Sequence, residues 1–312
     1  MIALIGDTTL DVAVHPARPI RAGGDTPSHI TLGVGGQGAN VAVRLARLGL
    51  SVRLITALAP DTPADLIRSR LADEAIELAP LPAERTSVVV ALLDGTGERT
   101  MLSDRAGVIG NLLPFLADAA WIHLSGYVLR DSREASGVQS AVDSLAPRPR
   151  LSVAGGSVFD GADLEVFRAA LSALIPDLLV LSRDEARAVL AAHPSSLLAT
   201  AEELALPGRL AIVTGGAEGS VAVAPWLDTP IAVVRPVDTP STDTTGAGDA
   251  YVAGLIADLL ASPWPPDASA VRAAMEQASE LGARVARVRG AQGRVAGERE
   301  PSSALQDAAH AG

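Results

Sequence analysis

Short apolar runs rich in branched residues alternate along this chain with stretches whose apolar positions recur every three or four residues. That rhythm predicts a parallel sheet with helices packed on its faces. The opening IALIG (2–6) reads as a buried strand. A helix starting near Gly38 carries Val41, Ala42, Leu45 and Leu48 on one face and stops at Gly49. The next strand spans 51–58, and Thr62-Pro63 opens a helix with Leu66, Ile67 and Leu71 directed inward. Further strands are predicted at 121–125, 151–153, 178–182 and 210–214, separated by helical stretches.

Two regions break the rhythm. In 28–34 the alternation of Ile30, Leu32 and Val34 reads as a half-exposed strand, and in 86–104 two strand-like runs flank the turn signal Gly95-Thr96-Gly97. With no helix between them, these runs predict a small antiparallel sheet, formed from about 11–34 and 86–104, that projects from the body, either as a surface hairpin or as a flap that covers a site or pairs with a second subunit. Its open edge and apolar face are what a lid-to-lid homodimer would use. Beyond Gly290 the tail is rich in Gly, Glu, Ser and Ala and is expected to fray. The whole chain, 1–312, is read as one α/β domain carrying this appendage.

Composition narrows the function. A net charge of −11 lacks the basic face that nucleic acid or an anionic membrane needs. Cysteine is absent, which removes disulfides, thiolate catalysis and Cys-ligated zinc. Lysine is absent too: all 25 basic residues are arginine. The P-loop, the pyridoxal Schiff base and the protein-kinase strand lysine are therefore unavailable in their usual forms. The five histidines are scattered, with no pair at metal-ligand spacing. The N-terminus makes a poor signal peptide and no apolar run reaches membrane-spanning length, so a cytoplasmic location is expected.

Three segments carry chemistry. In DTTGAGDAYVAGLIADLL (243–260) a Gly-Ala-Gly turn runs into an apolar helix with Val252, Leu255, Ile256 and Leu259 on its buried side. Small residues there leave backbone N–H groups open at the positive end of the helix dipole, an anion site suited to a phosphoryl group. Asp249, in the first turn, either caps this helix or accepts a proton from an attacking hydroxyl. Asp243 is either a loop acid that holds a cation or a turn residue. In GVGGQGANVAVRLARLG (33–49), Gly33, Gly35 and Gly38 spell the dinucleotide fingerprint, but they do not follow the opening strand and no acid appears before Asp61. In the third segment, GDTTLD (6–11), Asp7 and Asp11 are turn acids or partners for substrate hydroxyls.

Read whole, Asp243, Thr244, Gly246, Ala247, Gly248 and Asp249 resemble the C-terminal signature of the PfkB (ribokinase-like) carbohydrate kinases, and Gly35-Gly36-x-Gly38-Ala39-Asn40 resembles the N-terminal one. The likeness runs in the family's order from Ile2 to Ala291. It implies a ribokinase-like α/β fold, a central mostly parallel sheet flanked by helices with a small β lid. It also implies ATP and Mg²⁺ as cofactors, with K⁺ as a further candidate. Asp249 becomes the general base, and Gly246, Ala247 and Gly248 form the anion hole. Asp11, Gly35, Gly36, Gln37 and Asn40 fall at the sugar, with Asp7 assisting Asp11. Thr214, Gly216 and Gly219 fall at the nucleotide. Glu185 would order magnesium through water, and Asp243, the carbonyl of Thr245 and Gly290 would flank a monovalent cation.

Departures from the family pattern qualify this. Ser182 stands at a common Asn position, and Ala154-Gly155 where Asp or Asn followed by Pro is frequent. Thr9 replaces an Asn of the ribokinases proper, and no acid stands near 124–126. The implied activity is transfer of the γ-phosphoryl of ATP to a hydroxyl, expected to be primary, of ribose or a related furanose. Rival acceptors are a nucleoside, a sugar phosphate or a 2-keto-3-deoxy sugar acid. The acid would want an Arg in the cleft, for which Arg105, near Tyr127 at the lid junction, is the candidate. A rival of another class is a non-catalytic sugar-binding protein on the same fold.

Overall fold

The computed structural model describes residues 1–93, 99–157, 161–234 and 243–299; the turn expected at Gly95-Thr96-Gly97 lies outside them. In chain order the strands are β1 (Ile2–Ile5), β2 (Thr9–Pro16), β3 (Ser28–Gly35), β4 (Val52–Leu58), β5 (Ile76–Pro82), β6 (Val88–Leu93) and β7 (Arg99–Asp104). They continue with β8 (Trp121–Ser125), β9 (Arg150–Ala154), β10 (Leu178–Ser182), β11 (Leu210–Thr214), β12 (Ser220–Val223) and β13 (Ile231–Val233). The helices are α1 (Gln37–Arg47), α2 (Thr62–Leu71), α3 (Ser132–Asp143), α4 (Gly161–Leu174), α5 (Arg183–Leu190), α6 (Leu197–Leu204), α7 (Ala247–Leu260) and α8 (Ala268–Val285).

One sheet has the order β13-β12-β11-β10-β9-β8-β1-β4-β5. Its pairs are parallel from β11 through β5, while β12 and β13 add antiparallel at one edge. Alternation along β1 shows why both faces need helices. Ile2 and Leu4 enter one core with α1, α2, α7 and α8, whereas Ala3 and Ile5 enter the other with α3, α4, α5 and α6.

A second sheet of order β3-β2-β6-β7 stands apart. It is mixed, not antiparallel as expected, because its central pair β2–β6 is parallel. The reason is topological: β2 continues from β1 and β6 from β5, and those strands run the same way in the main sheet. Leu10, Val34 and Val88 anchor one face of this sheet on the core, and the register carries that face outward to Ile30, Leu32 and Leu102, all exposed.

Other expectations are corrected. Leu66 is exposed, and α2 buries Ala64, Ile67 and Leu71 instead. Strand β5 went unrecognised because Pro80 and Pro82 interrupt it, a composition tolerated at a sheet edge. The segment 290–299, expected to fray, is instead bound to α1. Arg44, fully buried, donates to the carbonyls of Ala291 (2.7 Å) and Gly293 (2.8 Å), and Arg47 donates to that of Gln292 (2.7 Å). Glu298, its side chain also enclosed, forms ion pairs with both arginines.

Candidate active site

Helix α7 begins on Gly246, whose φ of +75° suits glycine and whose missing Cβ leaves room for Ala291 at 2.7 Å. Its N-cap residue, Gly246, has no side chain to offer the terminus. The carboxylate of Asp249, in the first turn, accepts a hydrogen bond from Asn40 Nδ2 at 2.8 Å. Asn40 lies in the first turn of α1, and its Oδ1 accepts from Gln292 Nε2 at 3.1 Å.

Desolvation of the Asp249 carboxyl pushes its pKa up to about 7, although the residue keeps part of its surface open; Asp7 and Glu185 act in the same direction, Asn40 and Arg44 against it. A group so poised can hold or release a proton near neutral pH.

On the side of the second sheet, Asp11 accepts from Thr9 Oγ1 at 2.5 Å, and its carboxylate lies against Gly35, where any Cβ would collide with it. Burial raises its pKa above the usual range. Asp7, buried after β1, accepts from Ser125 Oγ (3.0 Å) and pairs with Arg105 at 2.5 Å. The Arg105 guanidinium stacks over Tyr127, 4.0 Å from the ring centre. Glycine at 38 is required here, because a Cβ would come within 2.7 Å of the Gly6 Cα. Gly36, the residue before α1, has φ +92°. Gln37 spends its amide on the main chain, accepting from Gly126 N (3.0 Å) and donating to the carbonyl of Gly155. It thus ties α1 to the ends of β8 and β9.

On the other side of the α7 terminus lies a cavity of about 190 Å³, lined among others by Thr214, Gly216, Gly219, Ala247, Gly248 and Gly282. A Cβ on Gly216 or Gly248 would meet no atom within 4 Å, so both backbones face open space. Tyr251 donates to Ser220 Oγ at 2.7 Å and fixes the cavity's back wall. Sequence reasoning passed over the contribution of α8, where Ser279, Gly282 and Ala283, with Ala286 just beyond the helix, form the facing wall. Their helical spacing in small residues was the available signal.

Glu185 and Ser182 form a reciprocal capping box at the start of α5: Ser182 N donates to Glu185 Oε2 at 2.8 Å, and Glu185 N to Ser182 Oγ at 3.3 Å. Burial raises the Glu185 pKa, and its carboxylate lies against Gly155. Ser182, a departure from the family pattern, thus holds Glu185, and Gly155, another, leaves room for its carboxylate. The expected cation trio is brought together: the Asp243 carboxylate accepts from Thr245 N (3.0 Å), Thr245 Oγ1 (2.5 Å) and Gly290 N (2.9 Å). Among the described residues no cluster of three or more His, Asp or Glu side chains could hold a metal alone. Magnesium suits this setting, because it commonly takes one or two carboxylates and leaves its other positions to phosphates and water.

The sequence model of the pfkB family carbohydrate kinases matches residues 1–296. The fructokinase of Salmonella typhimurium is 33% identical over 276 residues, which cover 82% of this chain and 87% of that protein. Among solved structures, ribokinase from Giardia lamblia has a TM-score of 0.77 at 16% identity, covering 93% of this chain and 95% of that one. Fructokinase from Vibrio cholerae O395, solved with fructose, ADP and calcium ion, has a TM-score of 0.73 at 23% identity, covering 93% of this chain and 94% of that one.

Proposed function

This chain belongs to the pfkB family of carbohydrate kinases, phosphotransferases with an alcohol acceptor, and from that premise we propose that it phosphorylates a primary hydroxyl of fructose at the expense of ATP. The observation that carries the reading is Asp249. Its carboxyl, with a pKa near 7, stands at the first turn of α7 between the glycine-lined cavity and the Asp7–Asp11 side of the molecule.

In this reading Asp11, Gly35, Gly36 and Asn40 form the sugar subsite, and Gln37, its amide bonded to Gly126 and Gly155, holds α1 in place beside them. Asp249 takes the hydroxyl proton as the sugar oxygen attacks the γ-phosphorus in line. Thr214, Gly216 and Gly219 border the nucleotide, and the amides of Gly248 and Asp249 face the transferring group, while that of Ala247 is spent on the Thr244 carbonyl at 3.2 Å. With no lysine in the chain, these backbone dipoles carry stabilisation that other phosphotransferases draw from an ammonium. Magnesium, when bound, supplies neutralisation of the phosphate charge. Glu185 would orient its water, and Asp243, Thr245 and Gly290 would border a potassium ion. Replacing Glu185 by Gln is expected to raise the magnesium concentration needed for half-maximal turnover about 10-fold or more. An unchanged magnesium titration would leave Glu185 as a capping residue only.

Two features favour a neutral ketose. Arg105, the candidate for an acidic sugar, already has its charge met by Asp7. Thr9, where ribokinases are expected to direct an Asn at ribose, turns its hydroxyl onto Asp11; the similarity to the Salmonella typhimurium fructokinase points the same way. The second sheet serves as a lid that excludes water from the closed site. The exposed Ile30, Leu32 and Leu102 would pair two lids in a homodimer, and a monomer in sedimentation at micromolar concentration would reject that pairing.

The test is ADP release from ATP and Mg²⁺ with fructose, ribose, adenosine, fructose 6-phosphate and a 2-keto-3-deoxy sugar acid. The reading requires fructose to give the highest kcat/KM. Preference for another acceptor would displace fructose but keep the kinase. Sugar binding without turnover on any acceptor would support the non-catalytic alternative.

A further inference from the structure

The C-terminal loop meets the α7 terminus at Ala291 and Gly290, and it reaches the Asn40–Asp249 pair through the side chain of Gln292. Asn40 touches Asp249 with Nδ2 and Gln292 with Oδ1, so its amide has a donor end and an acceptor end, each engaged. An asparagine amide can turn over and exchange those ends, and whichever neighbour demands a particular end decides its orientation. Asp249, when ionised, accepts and cannot donate. Gln292 presents an N–H₂ to Asn40, which can only be met by the oxygen.

Gln292 is itself held from behind. The carbonyls of residues 291, 292 and 293 are bonded in turn by Arg44, Arg47 and Arg44 again, and Glu298 pairs with both arginines. Asn40, Arg44 and Arg47 stand at i, i+4 and i+7, one face of α1. The same helix face thus supplies the amide that touches Asp249 and the two cations that fasten the loop correcting its orientation.

We propose that Gln292 is a positioning residue for the reaction: by donating to Asn40 Oδ1 it keeps the Asn40 Nδ2 donor directed at Asp249. This rests on the reading of Asp249 as the base. Without Gln292, Asn40 is free to turn Oδ1 toward Asp249 whenever that carboxyl is protonated and to accept its O–H, which stabilises the protonated form. Asp249 would then hold its proton more tightly. The charged groups around Asp249 are Asp7 after β1, Glu185 on α5 and Arg44 on α1, and the substitutions below leave all three in place.

The experiment uses Gln292→Leu, which keeps the size and removes the amide, and Gln292→Glu, which offers a carboxylate and no N–H. Each is assayed across pH, alone and in an Asn40→Ala background, with folding checked by circular dichroism. The expected result is a kcat reduced about 10-fold in Gln292→Leu, since a lost hydrogen bond of about 1.4 kcal/mol is a factor of ten. KM for ATP stays near wild type, and the acidic limb of the pH–rate profile moves to higher pH. Gln292→Glu is expected to be the slower of the two, because an ionised Glu draws the Asn40 amide toward itself. In the Asn40→Ala background Gln292→Leu has no further effect, whereas Gln292→Glu keeps only the effect of its added charge on Asp249. An unmoved acidic limb, or an equal loss of kcat with and without Asn40, overturns the inference. If a variant does not fold, the other decides on the same criteria. Asp249→Asn separates the two layers: an active Asp249→Asn enzyme removes the base reading itself, whereas an inactive one with an unresponsive Gln292→Leu removes only the role of Gln292.

Discussion

Asp249 combines two demands that oppose each other. As a base it must be ionised, yet its surroundings disfavour the charge, chiefly by desolvation and then through Asp7 and Glu185. Its pKa of about 7 therefore sets the acidic limb of the reaction. We expect kcat/KM to fall about tenfold per pH unit below that value, because only the ionised carboxylate accepts the proton. A limb at the ordinary pKa of an exposed aspartate would mean that the desolvation is absent in solution. The roles proposed for Asp249 and Glu185, and the meeting of Asp243 with Gly290, were legible as motifs. Gln292 was not, because its partner Asn40, itself part of the N-terminal signature, lies 252 positions away and no local pattern marks residue 292.

At the scale of elements, α1 is the frame that joins the N-terminal glycine segment to the C-terminal loop. The sequence marked its start through the small residues Gly36, Gly38 and Ala39, and its apolar face through Val41, Ala42 and Leu45. It did not mark the arginine face, since arginines on a helix ordinarily point to solvent and only the fold brings Glu298 against them. Removing Glu298 by Glu298→Ala leaves Arg44 buried without its counter-charge, and should cost about 3–5 kcal/mol in stability. Chemical denaturation measures this directly. A loss below about 1 kcal/mol would mean that water reaches Arg44 and that the loop is not clamped. The sheet shows the same division. Strands such as β10 are continuous apolar runs and were plain, whereas β12 and β13 are four and three residues long and were missed.

For the molecule as a whole, two carboxyls among the described residues are pushed up to about 7 by burial: Asp249, and Glu134, which accepts a hydrogen bond from Val108 N beside Gly107. Both pKa values are raised in the folded state, from 3.8 and 4.5. Between those values and about 7 the folded chain binds more protons than the unfolded one, so stability falls as pH rises through that window. Each group contributes at most about 1.4 kcal/mol per pH unit. Glu134→Gln is expected to flatten this dependence and to be more stable than wild type at pH 8. Equal slopes of denaturation free energy against pH in the two proteins would contradict it. The overall architecture, two helical layers on a parallel sheet with a second sheet beside it, followed from periodicity alone. The parallel centre of that second sheet did not, because strand direction depends on which main-sheet strands feed it.

The central claim is that Asp249 removes the proton of a sugar hydroxyl during phosphoryl transfer from ATP. The direct measurement is single-turnover phosphorylation of fructose by wild type and by Asp249→Asn, with nucleotide binding measured in parallel. The expected result is unchanged nucleotide affinity with a rate constant lower by roughly 10²–10⁴. A single-turnover rate within a few-fold of wild type, at the same nucleotide affinity, would contradict it.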